Sequence, residues 1–292
     1  MTSVAVLAHR RKQLGGGLTE FRRLLASAGV TDPLWYEVDK SKKAPSRARH
    51  ALDAGADLLF VWGGDGMVQR TIDAVAGSGA AIAIMPAGTA NLLATNLGVP
   101  IDLARAVEVG LHGTRRTIDI GVMNGERFAV MAGAGFDARM IRDADRSLKD
   151  RTGRFAYVIT GARNLNSRPA KVHIKVDGTT WFDDRATCLL FGNVGKLFGG
   201  LTTFEDARPD DGRIELGVVT ADGVWQWTRA LARTAVGHPD RSPFVEMTSG
   251  HKFSVRFDRR IVYELDGGDR KPTKHLKVRV QPAAVTICVP AA

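Results

Sequence analysis

Residues 58–75, LLFVWGGDGMVQRTIDAV, set an apolar run against a glycine turn and then a helical pattern. Leu58 to Trp62 has the composition of a buried strand, while Val68, Ile72 and Val75 recur at helical spacing. The arrangement repeats downstream, where Ala81 to Met85 leads into PAGTAN (Pro86 to Asn91) and then Ala90, Leu93, Ala94 and Leu97 on one helical face. Strand, turn and helix in that order, twice, imply a parallel sheet. Turns without Cβ atoms let backbone N–H groups approach phosphate oxygens, and the following helix adds its N-terminal donors and positive dipole end. Together the two turns read as a nucleotide phosphate site, one anion held from two sides.

A glycine turn after a strand also has a purely steric use, so GGDG alone defines no ligand. Its acid says more. Asp65 would repel a phosphate unless Mg²⁺ or a positively polarised group lay between them, so it either orders the loop or handles metal or proton chemistry. Neither turn follows GxxxxGK[ST] or GxGxxG, which excludes the P-loop and the dinucleotide fingerprint.

Upstream, Val4 to Ala8 and Leu34 to Val38 read as further strands. Helical patterns fall near Leu18 to Ala28, Ser46 to Ala54, Met67 to Ala76, Thr89 to Leu97 and Leu103 to Leu111. This alternation predicts an α/β domain over residues 1–118, a doubly wound parallel sheet that binds its ligand at the strands' carboxyl ends, where both turns fall. From Asp119 the pattern changes. Lys171–Val176 and Thr179–Asp183 flank Asp177-Gly178, a hairpin signal, and Phe253, Val255, Phe257 and Leu276, Val278, Val280 alternate with polar neighbours. Residues 119–292 are expected to be antiparallel and β-rich. Within them Asp222 to Val236 reads as one helix, with Trp225, Trp227 and Leu231 as packing residues.

The chain's 292 residues are enough for two cores, and 44% hydrophobic with 25% charged residues describes a soluble globular protein. No apolar run approaches the roughly 18 residues of a membrane span. Val4 to Ala8 is too short for a signal peptide and runs into His9, Arg10, Arg11 and Lys12, so a cytoplasmic protein is expected. Cys188 and Cys288 lie in separate strand-like runs, as buried thiols would, and the seven histidines show no metal-ligand spacing. The formal charge of +10 attracts polyanions. Basic clusters at Arg10–Lys12, Lys40–Lys43 with Arg47 and Arg49, Arg146–Arg154 and Arg256–Arg260 are dispersed, without an aromatic-interleaved stripe. That favours reversible docking on an anionic membrane surface over nucleic acid.

GGDGM at 63–67, followed by PAGTANLLATNLGVP from Pro86 to Pro100, resembles the catalytic domain of the diacylglycerol kinase family, soluble bacterial lipid kinases related to sphingosine kinases and NAD kinases. The similarity continues through IDIG (Ile118–Gly121), AGAGFDA (Ala132–Ala138), FGNVGKLFGG (Phe191–Gly200), ARPDDGRIEL (Ala207–Leu216) and ELDGGD (Glu264–Asp269), across nearly the whole chain. It implies that the second domain is a β-sandwich, that the active site is the cleft between domains, and that the C-terminal strand returns toward the first. It further implies transfer of the γ-phosphoryl group of ATP to a lipid hydroxyl, with ATP and Mg²⁺ as cofactors. Diacylglycerol or a similar glycerolipid is the implied acceptor, and a sphingoid base or other lipid alcohol the neighbouring alternative. An NAD kinase ranks lower, because the FGN, GG and PDDG blocks match the lipid enzymes. By the same resemblance Gly63, Gly64, Gly66, Gly88, Thr89 and Asn91 line the nucleotide site, and Asp65 serves it electrostatically or through metal-bound water. Asp119 belongs to a magnesium and water network, and Asp211 is a structural metal ligand. Read alone, Asp211 is a turn residue before Gly212. Oligomeric state is not legible, and a homodimer stays open.

Three positions depart from the family pattern. Met67 stands where the family often has threonine and sphingosine-kinase-like members carry apolar residues, and Leu92 replaces the acid of GTxND, removing a carboxylate from the metal network. In ELDGGD, Gly268 occupies the place of the glutamate proposed as general base in bacterial relatives, and Asp269 follows it. A positioned base contributes about 10²- to 10⁴-fold. Either Asp269 or Asp65 takes its part, or the chain is a nucleotide-binding regulatory protein that has lost catalysis; Asp266 is a further candidate, read as supporting the loop.

Overall fold

The computed structural model describes residues 3–135, 169–197, 201–222, 226, 242–266 and 268–291. The Arg146–Arg154 cluster, and the expected helix Asp222–Val236 apart from Asp222 and Gln226, lie outside the described residues. The chain forms two compact units, Met1–Ile118 with Pro282–Ala292, and Asp119–Gln281.

In the first unit β1 (Val4–His9), α1 (Gly17–Ser27), β2 (Leu34–Val38), α2 (Ala44–Asp53), β3 (Leu58–Gly63), α3 (Asp65–Val75), β4 (Ala81–Pro86), α4 (Leu92–Asn96) and α5 (Leu103–His112) follow one another. The strands lie in the order β2-β1-β3-β4, all parallel. β3 and β4 are buried at every position, which is why they read as unbroken apolar runs. α1 and α5 cover one face, where Phe21, Leu25, Ala106 and Val107 meet Val6, Phe60, Trp62 and Ala83. Phe21 stacks on Trp62 with 5.4 Å between ring centroids. A Cβ on Gly110 of α5 would lie 2.4 Å from the Phe60 ring, so only glycine lets this helix pack so closely. α2 and α3 cover the other face, α2 against β1 and α3 against β3. The chain's final segment completes this sheet beside β4, with Thr286 opposite Ala81 and Ile287 opposite Ile82.

The second unit is antiparallel. β5 (Thr114–Met123) enters it at Asp119, followed by β6 (Glu126–Phe128), β7 (Met131–Ala134), β8 (Ala170–Val176), β9 (Thr179–Ala186), β10 (Cys188–Gly192), β11 (Lys196–Leu197), β12 (Leu201–Thr202), β13 (Ile214–Val219), β14 (Val245–Gly250), β15 (Lys252–Leu265) and β16 (Gly268–Val289). β15 serves two sheets. Its first half, Phe253 to Phe257, pairs with β8, and its end, Tyr263 to Leu265, pairs with β7; the register against β16 breaks between Arg256 and Ile261. One sheet runs β14-β13-β10-β7-β15, and the other places β9 and β8 on β15 and β16. Their inner faces share one core, including Val172, Ile174, Leu189, Phe191, Leu216, Phe253, Val255, Leu276 and Val278. This is a β-sandwich. Asp177 and Gly178 join β8 to β9 with φ of 48° and 93°, the left-handed geometry of a tight hairpin turn. Cys188 and Cys288 are both free and buried. No helix among the described residues is long and apolar enough to cross a membrane.

Candidate active site

β1 feeds β2 on one side and β3 lies on the other, so the strand order switches direction at β1. The carboxyl ends beside such a switch are where open α/β sheets bind ligands. β3 and β4 end together there, Gly63 pairing with Pro86. The two glycine turns touch backbone to backbone. A Cβ built on Gly64 would lie 2.9 Å from Gly88 Cα, and one on Gly88 would lie 2.3 Å from Gly64 Cα. A Cβ on Gly66 meets nothing within 4 Å, and this residue is exposed. Gly64 and Gly88 therefore let the turns come together, and Gly66 leaves open space at the start of α3.

The acid and amide in these turns have definite work. Asp65 is the first residue of α3, and its Oδ1 accepts a long bond, 3.4 Å, from the Leu93 N–H of α4. It thereby ties the two turns to each other. Gly64, which precedes α3, has no side chain to cap the helix's opening donors. Asn91, buried with φ of 48°, folds its amide into its own turn. Its Oδ1 accepts from Gly88 N at 2.9 Å, and its Nδ2 donates to the carbonyls of Pro86 and Gly88, both at 3.0 Å. Asn91 thus shapes the loop and occupies the Gly88 N–H. Thr89 is exposed beside it.

Basic residues gather at this sheet end. Burial, with Lys12 and Arg11 nearby, pushes the His9 pKa below its usual value. His9, Arg10, Arg11 and Lys12 close β1, and the Lys12 carbonyl accepts from the Trp62 indole N–H at 3.1 Å. The basic run that composition places among dispersed clusters therefore stands at the end of the strand next to GGDG. Only the pairing of β1 with β3 makes that neighbourhood visible.

In the second unit Asp119 and the PDDG turn come together. Asp119 is 4% exposed; its N–H donates to Pro209 O and its Oδ2 accepts from Gly212 N, both at 2.6 Å. Asn193 of FGN donates to the carbonyls of Asp119 and Ala129, and its own Oδ1 has no partner in this buried place. Asp211 is exposed and accepts from Arg213 N. Burial, then repulsion from Asp211, lifts the Glu215 pKa to about 7, with Asp206 adding to it. These are hard oxygen donors of the kind Mg²⁺ prefers. Even so, among the described residues no three His, Cys, Asp or Glu side chains converge to hold an ion. The described side chains alone do not form a metal cage.

The hairpin carrying ELDGGD divides its acids by environment. Asp266, with φ of 44°, accepts from the N–H groups of Ala129, Val130 and Met131 at 2.8, 3.0 and 2.9 Å, so it supports the preceding loop. Asp269 is exposed and lies opposite Glu264 in the β15–β16 pairing. Two residues after Gly268 stands Arg270, whose guanidinium donates to the Gly268 carbonyl at 2.8 Å and to Glu126 at 2.7 Å. Glu264 is the acid that sequence reasoning passes over. It is 5% exposed, its Oε1 lacks a hydrogen-bond partner, and burial together with Asp269 and Asp266 pushes its pKa up to about 8. Strand alternation gives no sign of this, because β15 is buried on both faces at Glu264 and Leu265.

The chain matches known proteins over both units. The profile of the diacylglycerol kinase catalytic domain matches residues 10–123, and that of the YegS C-terminal NAD kinase beta sandwich-like domain matches residues 130–289. A Klebsiella pneumoniae protein named probable lipid kinase YegS-like is 29% identical over 82% of this chain and 80% of its own. The diacylglycerol kinase of Bacillus subtilis is 28% identical over 75% of each chain. A crystal structure of a candidate diacylglycerol kinase from Bacillus anthracis superposes with a TM-score of 0.82 at 20% identity, covering 98% of this chain and 97% of that one.

Proposed function

Since the chain belongs to the lipid kinase family of YegS-like and diacylglycerol-kinase-like proteins, we propose that it transfers the γ-phosphoryl group of ATP to the hydroxyl of diacylglycerol or a closely similar glycerolipid. The observation that carries this reading is the pair of glycine turns held in backbone contact at the ends of β3 and β4, with Asp65 linking them. Gly63, Gly64 and Gly66 form the nucleotide's phosphate cradle, with the start of α3 and the basic run after β1 supplying positive potential. Gly88, Thr89 and Asn91 form its second wall. Mg²⁺ bound with the triphosphate would supply charge neutralisation on its oxygens. Asp65 keeps a carboxylate at the cradle, where it orients or deprotonates the acceptor hydroxyl. Asp269 is the second candidate for that proton, from the hairpin in which Gly268 stands for the family's glutamate. Asp119 and Asp211 order the PDDG turn, with Asp211 the exposed ligand for any structural cation there.

Incubation of the purified protein with labelled ATP, Mg²⁺ and, separately, diacylglycerol, monoacylglycerol, sphingosine and NAD⁺ tests the assignment. Labelled phosphatidic acid as the main product supports it. Label appearing chiefly in sphingosine phosphate or NADP⁺ moves the acceptor to another class. Gly268 favours one second reading, a nucleotide-binding regulatory protein, which requires ATP binding with no transfer to any acceptor.

A further inference from the structure

The outer face of the sheet that joins β8, β15 and β16 concentrates cations. Strand alternation turns Val172, Ile174, Phe253, Val255, Leu276 and Val278 into the core, and therefore turns Lys175, Lys252, Arg256, Lys277 and Arg279 outward. The register then sets these residues side by side. Lys175, Ser254 and Lys277 form one cross-strand row, and Lys252 lies directly opposite Arg279; His173, Arg256 and His275 form the next row, which ends on β9 in Asp183, 3.5 Å from His173. Like charges in direct cross-strand opposition are destabilising. Several cations elsewhere among the described residues are paired, Arg10 and Arg22 with Glu37, Lys43 with Asp39, and Arg270 with Glu126. Among the described residues, none of these five outward cations has a carboxylate within ion-pairing distance. At the same face a groove of about 680 Å³ is lined by Arg127, Lys252, Ser254, Lys277, Arg279 and Gln281, with no acid in its lining.

We propose that this face is the surface by which the protein docks on an anionic phospholipid bilayer, with the groove receiving a lipid phosphate. The inference deepens the lipid-kinase reading and rests on it for the choice of lipid over other polyanions. Charge complementarity argues for an anionic occupant. The sheet, whose outward positions on these three strands carry no Phe, Tyr or Trp, lacks the stacking platform that single-stranded nucleic acid uses. Each basic residue near an anionic leaflet adds attraction that fades within a Debye length, so a cluster on one face binds reversibly and salt-dependently.

Co-sedimentation of the full chain with vesicles tests this without nucleotide or acceptor, so a failed kinase reading leaves the measurement intact. Vesicles of phosphatidylcholine alone are compared with vesicles containing phosphatidylglycerol, and an oligonucleotide serves as competitor. The triple variant Lys252→Gln, Lys277→Gln, Arg279→Gln changes exposed side chains only, and relief of the Lys252–Arg279 repulsion keeps its melting temperature at or above wild type. A control variant, Arg22→Gln, Arg23→Gln, Lys43→Gln, removes the same charge elsewhere. The expected result is preferential binding to the anionic vesicles, at least tenfold weaker in the triple variant and within about twofold of wild type in the control. Equal loss in both variants, indifference to phosphatidylglycerol, or preferential capture by the oligonucleotide would overturn the proposal.

Discussion

The Asp65 carboxylate accepts the Leu93 N–H and also places negative charge beside the proposed phosphate cradle, and these two roles separate by substitution. Asparagine keeps the acceptor oxygen and removes the charge. Asp65→Asn is therefore expected to keep the fold, checked by its melting curve, while lowering phosphoryl transfer at least tenfold. Gly268 raises the opposite question. A Cβ there meets the Arg270 guanidinium at 2.9 Å, the movable end of a long side chain, so a larger residue is accommodated. Gly268→Glu should raise turnover if the missing carboxylate limits the rate; an unchanged rate would assign the proton to Asp65 or Asp269. Glu264 has a pH signature. Its pKa rises from the usual 4.5 to about 8 on folding, so the folded chain holds more protons than the unfolded chain between those values. Stability from this group is complete below about 4.5 and is lost as pH rises toward about 8. Glu264→Gln should match wild type near pH 4.5 in urea unfolding and exceed it at pH 8. Glu215, lifted to about 7, leaves part of the slope in place.

At the scale of elements, sequence legibility followed burial. β3 and β4 were readable because each is apolar throughout, and the second-unit strands because Phe253, Val255 and Phe257 alternate against one core. The turns were readable as glycine turns but not as partners. Nothing in GGDG and PAGTAN announces that Gly64 and Gly88 meet, because that contact depends on β3 and β4 being neighbours in register. The same limit hid the amide of Asn91, which binds its own loop, and placed Asp65 in a turn when it opens α3. The contact makes a prediction at its own scale. In Gly88→Ala the new methyl would lie 2.3 Å from Gly64 Cα, which is backbone, and 2.5 Å from Asn91 Oδ1, which the loop's own bonding holds. The turns must part, at a cost of about 1–3 kcal/mol, with loss of ATP binding measured by calorimetry.

Across the whole molecule the two units divide the chemistry of the proposal. The first carries the glycine cradle on a parallel sheet, and the second carries the acids of PDDG and ELDGGD on a sandwich with its own core. The change from strand-helix alternation to short alternating strands was legible because the two periods differ. Which acids are buried was not, since Glu264 and Asp269 differ in exposure only through the layers above them. If the cradle binds the triphosphate, ATP with Mg²⁺ should slow amide hydrogen exchange at residues 63–68 and 86–93 more than elsewhere in the first unit. The most direct test of the account is the initial rate of Mg²⁺-dependent phosphate transfer from labelled ATP to diacylglycerol in mixed micelles, wild type beside Asp65→Asn. The account predicts labelled phosphatidic acid from the wild type and at least a tenfold lower rate from the folded variant. Equal rates in the two proteins, or no lipid product from a wild type that binds ATP, would contradict it.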